Sequence, residues 1–130
     1  MSIILVCGPP CAGKTTHALQ YADTHLIVDH DLIAQGLGST RTHNHLPHLW
    51  RKAERVMAGY LDAIEDGQVA DAVVVRCLPE RDRREALAAW LDAVVVMLNP
   101  PREVLVERAQ QRDDPARTVA AIDQWLADYT

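Results

Sequence analysis

The stretch Gly8-Pro9-Pro10-Cys11-Ala12-Gly13-Lys14-Thr15 satisfies the pattern G-x-x-x-x-G-K-[ST] in full. That pattern suits a bound phosphate. Gly8 and Gly13 permit backbone angles and close approaches that a Cβ would forbid. Successive N–H groups can then turn toward one anion, and the start of the following helix adds the positive end of its dipole. Lys14 brings a mobile positive charge to the β- and γ-phosphates, and Thr15 offers a hydroxyl to Mg²⁺. The expected nucleotide-binding stretch is therefore Gly8, Pro9, Pro10, Cys11, Ala12, Gly13, Lys14, Thr15 and Thr16. Cys11 has two readings: a small side chain tolerated at a variable position, or a reactive thiol activated by the adjacent helix start.

A second chemical constellation follows in Val28-Asp29-His30-Asp31. One carboxylate could take the proton from an attacking hydroxyl while the other holds Mg²⁺ through water. The residues leave the base role open between Asp29 and Asp31, with Thr15 and Asp29 as the candidate metal contacts. Either acid could instead simply cap the helix that follows.

These residues need elements to hold them. Ile3-Ile4-Leu5-Val6-Cys7 is apolar without alternation, as expected of a strand buried on both faces. A helix is expected from about Gly13 to His25, then short strands at Leu26-Ile27-Val28 and Val73-Val74-Val75, and a fourth strand from Ala93 to Leu98. Trp50, Ala53, Met57, Tyr60, Leu61 and Ile64 mark an amphipathic helix from Pro47 to Asp66, ended by Gly67. Helical spacing returns at Leu87, Trp90 and Leu91, and at Val104 and Leu105. A last helix, started by Asp114 and Pro115, turns Val119, Ile122, Leu126 and Tyr129 inward. Trp50, Trp90 and Trp125 are expected in the core. Strands alternating with helices predict an α/β, three-layer parallel sheet of about four strands with helices on both faces. Ligands of such sheets bind outside the carboxyl ends of the strands. The phosphate pattern and the paired acids both lie there.

Composition narrows the class. The 130 residues, 48% hydrophobic and 24% charged, describe a single domain over 1–130 that folds without a disulfide or metal staple. No apolar run reaches the ~20 residues of a membrane span. The first residues lack the basic flank of a signal peptide. Cys7, Cys11 and Cys77 are an odd set without framework spacing, which favours a reducing, cytoplasmic setting. A net charge of −5 argues against nucleic-acid binding by bulk attraction.

Taken with the Asp29–Asp31 turn, the phosphate pattern resembles the P-loop kinases of the gluconate kinase, adenylylsulfate kinase and polynucleotide kinase type. Two later segments are similar to that family as well. Val75 to Leu87 resembles its third strand, loop and arginine-bearing helix. Pro101 to Arg112 resembles the helix leading into its nucleotide lid, where an R-x-x-x-R pair meets the phosphates. The resemblance implies a P-loop NTPase fold of nucleoside-monophosphate-kinase type. It also implies catalytic roles for Lys14, Asp31, Arg108 and Arg112, and a substrate or phosphate contact at Arg84. Phosphoryl transfer needs such groups, because it is catalysed mainly by positioning and charge neutralisation. The chain departs from the broader pattern in two ways. Strand three ends in Arg76 and Cys77 without an acid, Asp71 lying at its other end. Arg112-Asp-Asp-Pro-Ala-Arg117 leaves only a shortened lid before the last helix, and no fifth strand is visible.

The acceptor side is less specific. The resemblance places the acceptor between strands two and three, where Asp31, Arg41, Arg51 and Arg55 are the candidate substrate contacts, with Arg84 added from the helix after strand three. Lys52 joins the basic patch, and Glu54 is positioned to balance it as an ordinary solvated face. His43, His45 and His48 read as acceptor contacts, as a plain polar loop, or as part of a metal site lacking a fourth ligand. The expected activity is ATP- and Mg²⁺-dependent transfer of the γ-phosphoryl group to a hydroxyl of a small metabolite or a polynucleotide, with GTP left open. The alternatives are a nucleotide-hydrolysing switch and a non-catalytic nucleotide-binding module controlling a partner. Oligomeric state has no signature in the sequence.

Overall fold

Alternate residues of the first strand must find cover on opposite sides, and the computed structural model, which describes residues 1–130, supplies both. The strands are β1 (Ser2–Cys7), β2 (Leu26–Val28), β3 (Asp71–Arg76) and β4 (Val94–Met97). They form one sheet in the order β2-β3-β1-β4, with every pairing parallel. Leu5 pairs with Val74 and Val6 with Val75, so neighbouring strands send matching residues to the same face.

The helices are α1 (Lys14–Leu19), α2 (His30–Gly36), α3 (Pro47–Glu65), α4 (Arg81–Leu91), α5 (Arg102–Ala109) and α6 (Pro115–Asp128). On one face Ile3, Leu5, Cys7, Val28, Ala72 and Val74 pack with Met57 and Ile64 of α3 and Leu91 of α4. On the other, Val6, Val73 and Val75 meet Ala18 of α1. A third cluster joins Cys11 and Ala12 to Leu105 and Ala109 of α5 and Ile122 of α6. The three-layer α/β arrangement expected from the alternation of elements is thus present, and β4 is the outer strand beside β1. No fifth strand extends the sheet.

Several local expectations need correction. The first helix stops at Leu19 instead of continuing to His25; the chain tightens through the Gln20–His17, Tyr21–Ala18 and Thr24–Tyr21 backbone bonds. Only Ala18 of this helix is buried, so tertiary packing offers little to prolong it. Trp50 and Trp90 are about half exposed. Leu91 takes the inward position of α4, and its neighbour Trp90 points roughly 100° away. Trp50 instead lies against the His30 ring, 5.4 Å between centroids. Tyr129 sits past the end of α6, partly exposed and stacked on Trp125 at 5.0 Å. Trp125 alone of the three tryptophans is buried, donating Nε1–H to the Cys77 carbonyl at 2.7 Å.

Candidate active site

The phosphate loop leaves the carboxyl end of β1, between β3 and β4. Its base is clamped to the exit of β4: Leu98 N–H donates to the Cys7 carbonyl at 2.8 Å. Gly8 lies so close to this contact that a Cβ there would stand 2.2 Å from the Leu98 carbonyl oxygen. Gly13 (φ +90°) occupies the left-handed region that favours glycine. Cys11 (φ +69°) shares that region, with its side chain buried against α5 and α6. Burial puts its thiol in the packing role; the reactive reading would need exposure. Ala12 N–H closes a turn onto Pro9 O at 3.2 Å, and Lys14 Nζ donates to the same carbonyl at 2.6 Å. The first N–H groups of α1 have no intrahelical carbonyl to serve, and so remain available to an anion.

Thr15 and Asp29 meet across two elements. The Thr15 hydroxyl donates to Asp29 Oδ2 at 2.6 Å, while Oδ1 of the same carboxylate accepts the Leu32 N–H at 3.0 Å and caps α2. Capping and site-building are therefore one arrangement. Asp29 is almost fully buried, and a carboxylate there needs partners. The donor set suits Mg²⁺, which characteristically takes one or two protein oxygens and completes its octahedron with water and phosphate. The threonine hydroxyl, with its proton directed to Asp29, keeps its lone pairs for a cation.

Asp31 has a different fate. His45 Nε2 lies 2.7 Å from Oδ1 and His43 Nδ1 lies 3.0 Å from Oδ2. His45 is held from behind by Ser39 Oγ, 2.6 Å from its Nδ1, and its side chain is buried. Burial pushes the Asp31 carboxyl upward, but the hydrogen bonds and charges of His43 and His45 outweigh it and hold the group below the usual carboxylate range. Next to this cluster, His30 Nδ1 lies 2.9 Å from Glu54 Oε1, with the ring turned so that neither nitrogen makes a hydrogen bond.

Arg108 ends α5 against the phosphate loop, donating to the Cys11 carbonyl at 3.0 Å. A cleft of about 450 Å³ runs beside Gly13 and Thr16 and is walled by Arg108 and Arg112. The same two arginines border a second cleft of about 250 Å³, whose far side is Thr42 and His43. A phosphate cradle thus shares two cationic side chains with the loop that holds Asp31. The sequence matches the family described as AAA domain over residues 3–130. The chain belongs to that family.

Solved structures agree on the architecture of this AAA domain. A sugar kinase from Janibacter sp. is 18% identical with a TM-score of 0.57, covering 100% of this chain and 99% of that one. A gluconokinase from Sinorhizobium meliloti is 20% identical with a TM-score of 0.56, covering 99% of this chain and 75% of that one. The AvrRxo1-ORF1:-ORF2 complex reaches a TM-score of 0.63 at 16% identity, over 95% of this chain but 46% of that one. At these identities the likeness establishes the fold that the phosphate-loop resemblance implied. No curated protein matches the sequence.

The other expected contacts of the AAA domain sort themselves by geometry. Arg84 is buried: its guanidinium donates to the carbonyls of Leu78, Pro79 and Thr130 and lies over the Tyr129 ring. A substrate contact at Arg84 is therefore corrected to a structural one, tying the last residues to the loop before α4. Arg41 folds onto the Asn44 carbonyl at 3.0 Å. Arg51 and Arg55 stay exposed on α3, and the acid expected to balance them, Glu54, faces His30 and Arg76 instead. His48 is exposed on α3 and does not join His43 and His45, so the three histidines form no common site. What sequence reasoning missed is the attachment of His43, His45 and Ser39 to Asp31. The one available signal was the density of histidines in a loop without period.

Proposed function

We propose that the protein is an ATP- and Mg²⁺-dependent phosphotransferase that moves the γ-phosphoryl group to a hydroxyl of a small polar metabolite. The observation that carries this reading is the Thr15–Asp29 contact placed directly behind a complete phosphate loop. It supplies, from β2, the acid that the end of β3 lacks. Lys14 and the loop N–H groups would hold the β- and γ-phosphates. Thr15 and Asp29 would hold the metal ion, which when bound neutralises phosphate charge and orients the γ-group. Arg108 and Arg112 would bring permanent positive charge to the transferring group from the opposite wall. The basic group facing the acceptor would come from Asp31 and its imidazole partners. The small cleft between His43 and the two arginines favours a compact acceptor, as do the sugar kinase and gluconokinase that share the fold.

One observation supports a polynucleotide acceptor as second reading: Trp50 is half exposed on the helix that carries Arg51 and Arg55, a combination able to stack a base and attract a phosphate. The test is γ-labelled ATP offered with sugars, sugar acids, nucleosides, hydroxymethylated DNA, and DNA and RNA bearing 5′-hydroxyls. Label on a sugar or sugar acid supports the primary reading, and label on a polynucleotide end or base the second. Label passing only to water identifies a hydrolysing switch and defeats both, as does tight ATP binding without turnover. Lys14→Ala should abolish nucleotide binding in every case.

A further inference from the structure

Deepening the phosphotransferase reading, and resting on it, the geometry around Asp31 assigns the proton acceptor to a different residue. Each Asp31 oxygen already has an imidazole nitrogen within 3.0 Å. An ionised carboxylate has only acceptor sites, so both of those nitrogens must carry the proton of the bond. The two histidines then differ in what remains. His45 is closed at both ends, its other nitrogen meeting Ser39 Oγ in the interior. His43 uses only Nδ1; its Nε2 has no protein partner, its side chain is part exposed, and the residue lines the cleft shared with Arg108 and Arg112. Asp31 lines neither that cleft nor the one at the phosphate loop.

We propose that His43 Nε2, and not an Asp31 oxygen, takes the proton of the acceptor hydroxyl, while Asp31 orients the imidazole through Nδ1 and His45 fixes Asp31. A carboxylate with a proton-donating imidazole on each oxygen is a weakened base, whereas the same carboxylate bonded to Nδ1–H strengthens the far nitrogen of that ring and selects its tautomer. In the transfer, the acceptor oxygen forms its bond to the γ-phosphorus and the bond from phosphorus to the β,γ-bridging oxygen breaks. That electron pair leaves on ADP. The acceptor proton passes to His43 Nε2, the Nδ1–H remains bonded to Asp31, and the imidazolium returns its Nε2 proton to solvent.

Two measurements test this separately from the phosphotransferase reading. Ring nitrogen NMR of the wild-type protein at mildly alkaline pH should show His43 protonated on Nδ1 and bare on Nε2, with that preference lost in Asp31→Ala. Acceptor labelling should fall by about 10²–10⁴-fold in His43→Ala, the usual contribution of a general base, with ATP affinity unchanged. Free imidazole should restore part of the lost rate saturably, and more basic imidazoles should restore more. A His43 proton found on Nε2 overturns the assignment. So does transfer by His43→Ala at the wild-type rate, or a loss that imidazole does not relieve. Failure of the wild-type protein to label any acceptor would instead count against the phosphotransferase reading, with the tautomer still deciding whether the Asp31–His43 pair is built as described.

Discussion

Adding one methyl group at Gly8 should damage the protein, while the same addition at Gly59 should help it. At Gly8 the new Cβ would stand 2.2 Å from the Leu98 carbonyl oxygen and 3.2 Å from the Ala12 Cβ. Carbon–oxygen contacts settle at about 3.3 Å, so the two backbones must separate by about 1 Å. Neither can yield cheaply, because Leu98 N–H is bonded to Cys7 O one residue before the glycine. Overpacking of this kind costs about 1–3 kcal/mol, and backbone on both sides argues for the upper end. A displacement of about 1 Å in the phosphate loop would in addition lower turnover by about 100-fold. Gly59 lies exposed inside α3, where an added Cβ would meet nothing within 4 Å, so Gly59→Ala should stabilise by about 0.5–1 kcal/mol through helix propensity. Urea unfolding at constant m-value measures both changes, and calorimetric titration with ATP measures the loop. Wild-type midpoint and ATP affinity in Gly8→Ala would refute the close approach of Leu98, at the exit of β4, as the reason for that glycine.

Other perturbations separate roles that are superimposed at this site. Asp29→Ala should remove the α2 cap, costing about 0.5–2 kcal/mol, and also weaken Mg²⁺-dependent ATP binding, whereas Asp29→Asn should keep most of the stability and lose the metal dependence; thermal unfolding beside ATP titration with and without Mg²⁺ checks the split. Burial raises the Cys7 thiol from 9.0 to about 11. The folded protein therefore holds that proton over a range where the unfolded chain has released it, and stability should decline as pH rises from about 9 to about 11. Cys7→Ala should flatten that part of the stability curve, measured by urea titration at several pH values. In the native state at neutral pH a bulky maleimide should label exposed Cys77 and spare buried Cys7 and Cys11, with all three modified in urea; mass spectrometry after brief exposure gives the pattern.

Much of the architecture was written in local patterns. A strand without polar alternation, a complete phosphate loop and a helix start in sequence determined where the anion cradle would form, because each depends on residues within one or two turns of one another. The alternation of apolar strands and amphipathic helices likewise determined a parallel, two-faced sheet, and the position of Asp29 and Asp31 after β2 put both acids at its carboxyl edge. Tertiary structure decided what those acids do. Asp29 turned toward Thr15 and became buried, while Asp31, two residues on, met His43 and His45 across a loop whose sequence has no period. It also decided that Arg108 reaches the loop at Cys11, 97 residues away, and that Arg84 points inward to Thr130. Period and turn chemistry are local properties of a chain. Which side chain meets which across a fold depends on how layers pack, and a hydrogen bond between distant residues leaves no trace in either one's neighbours.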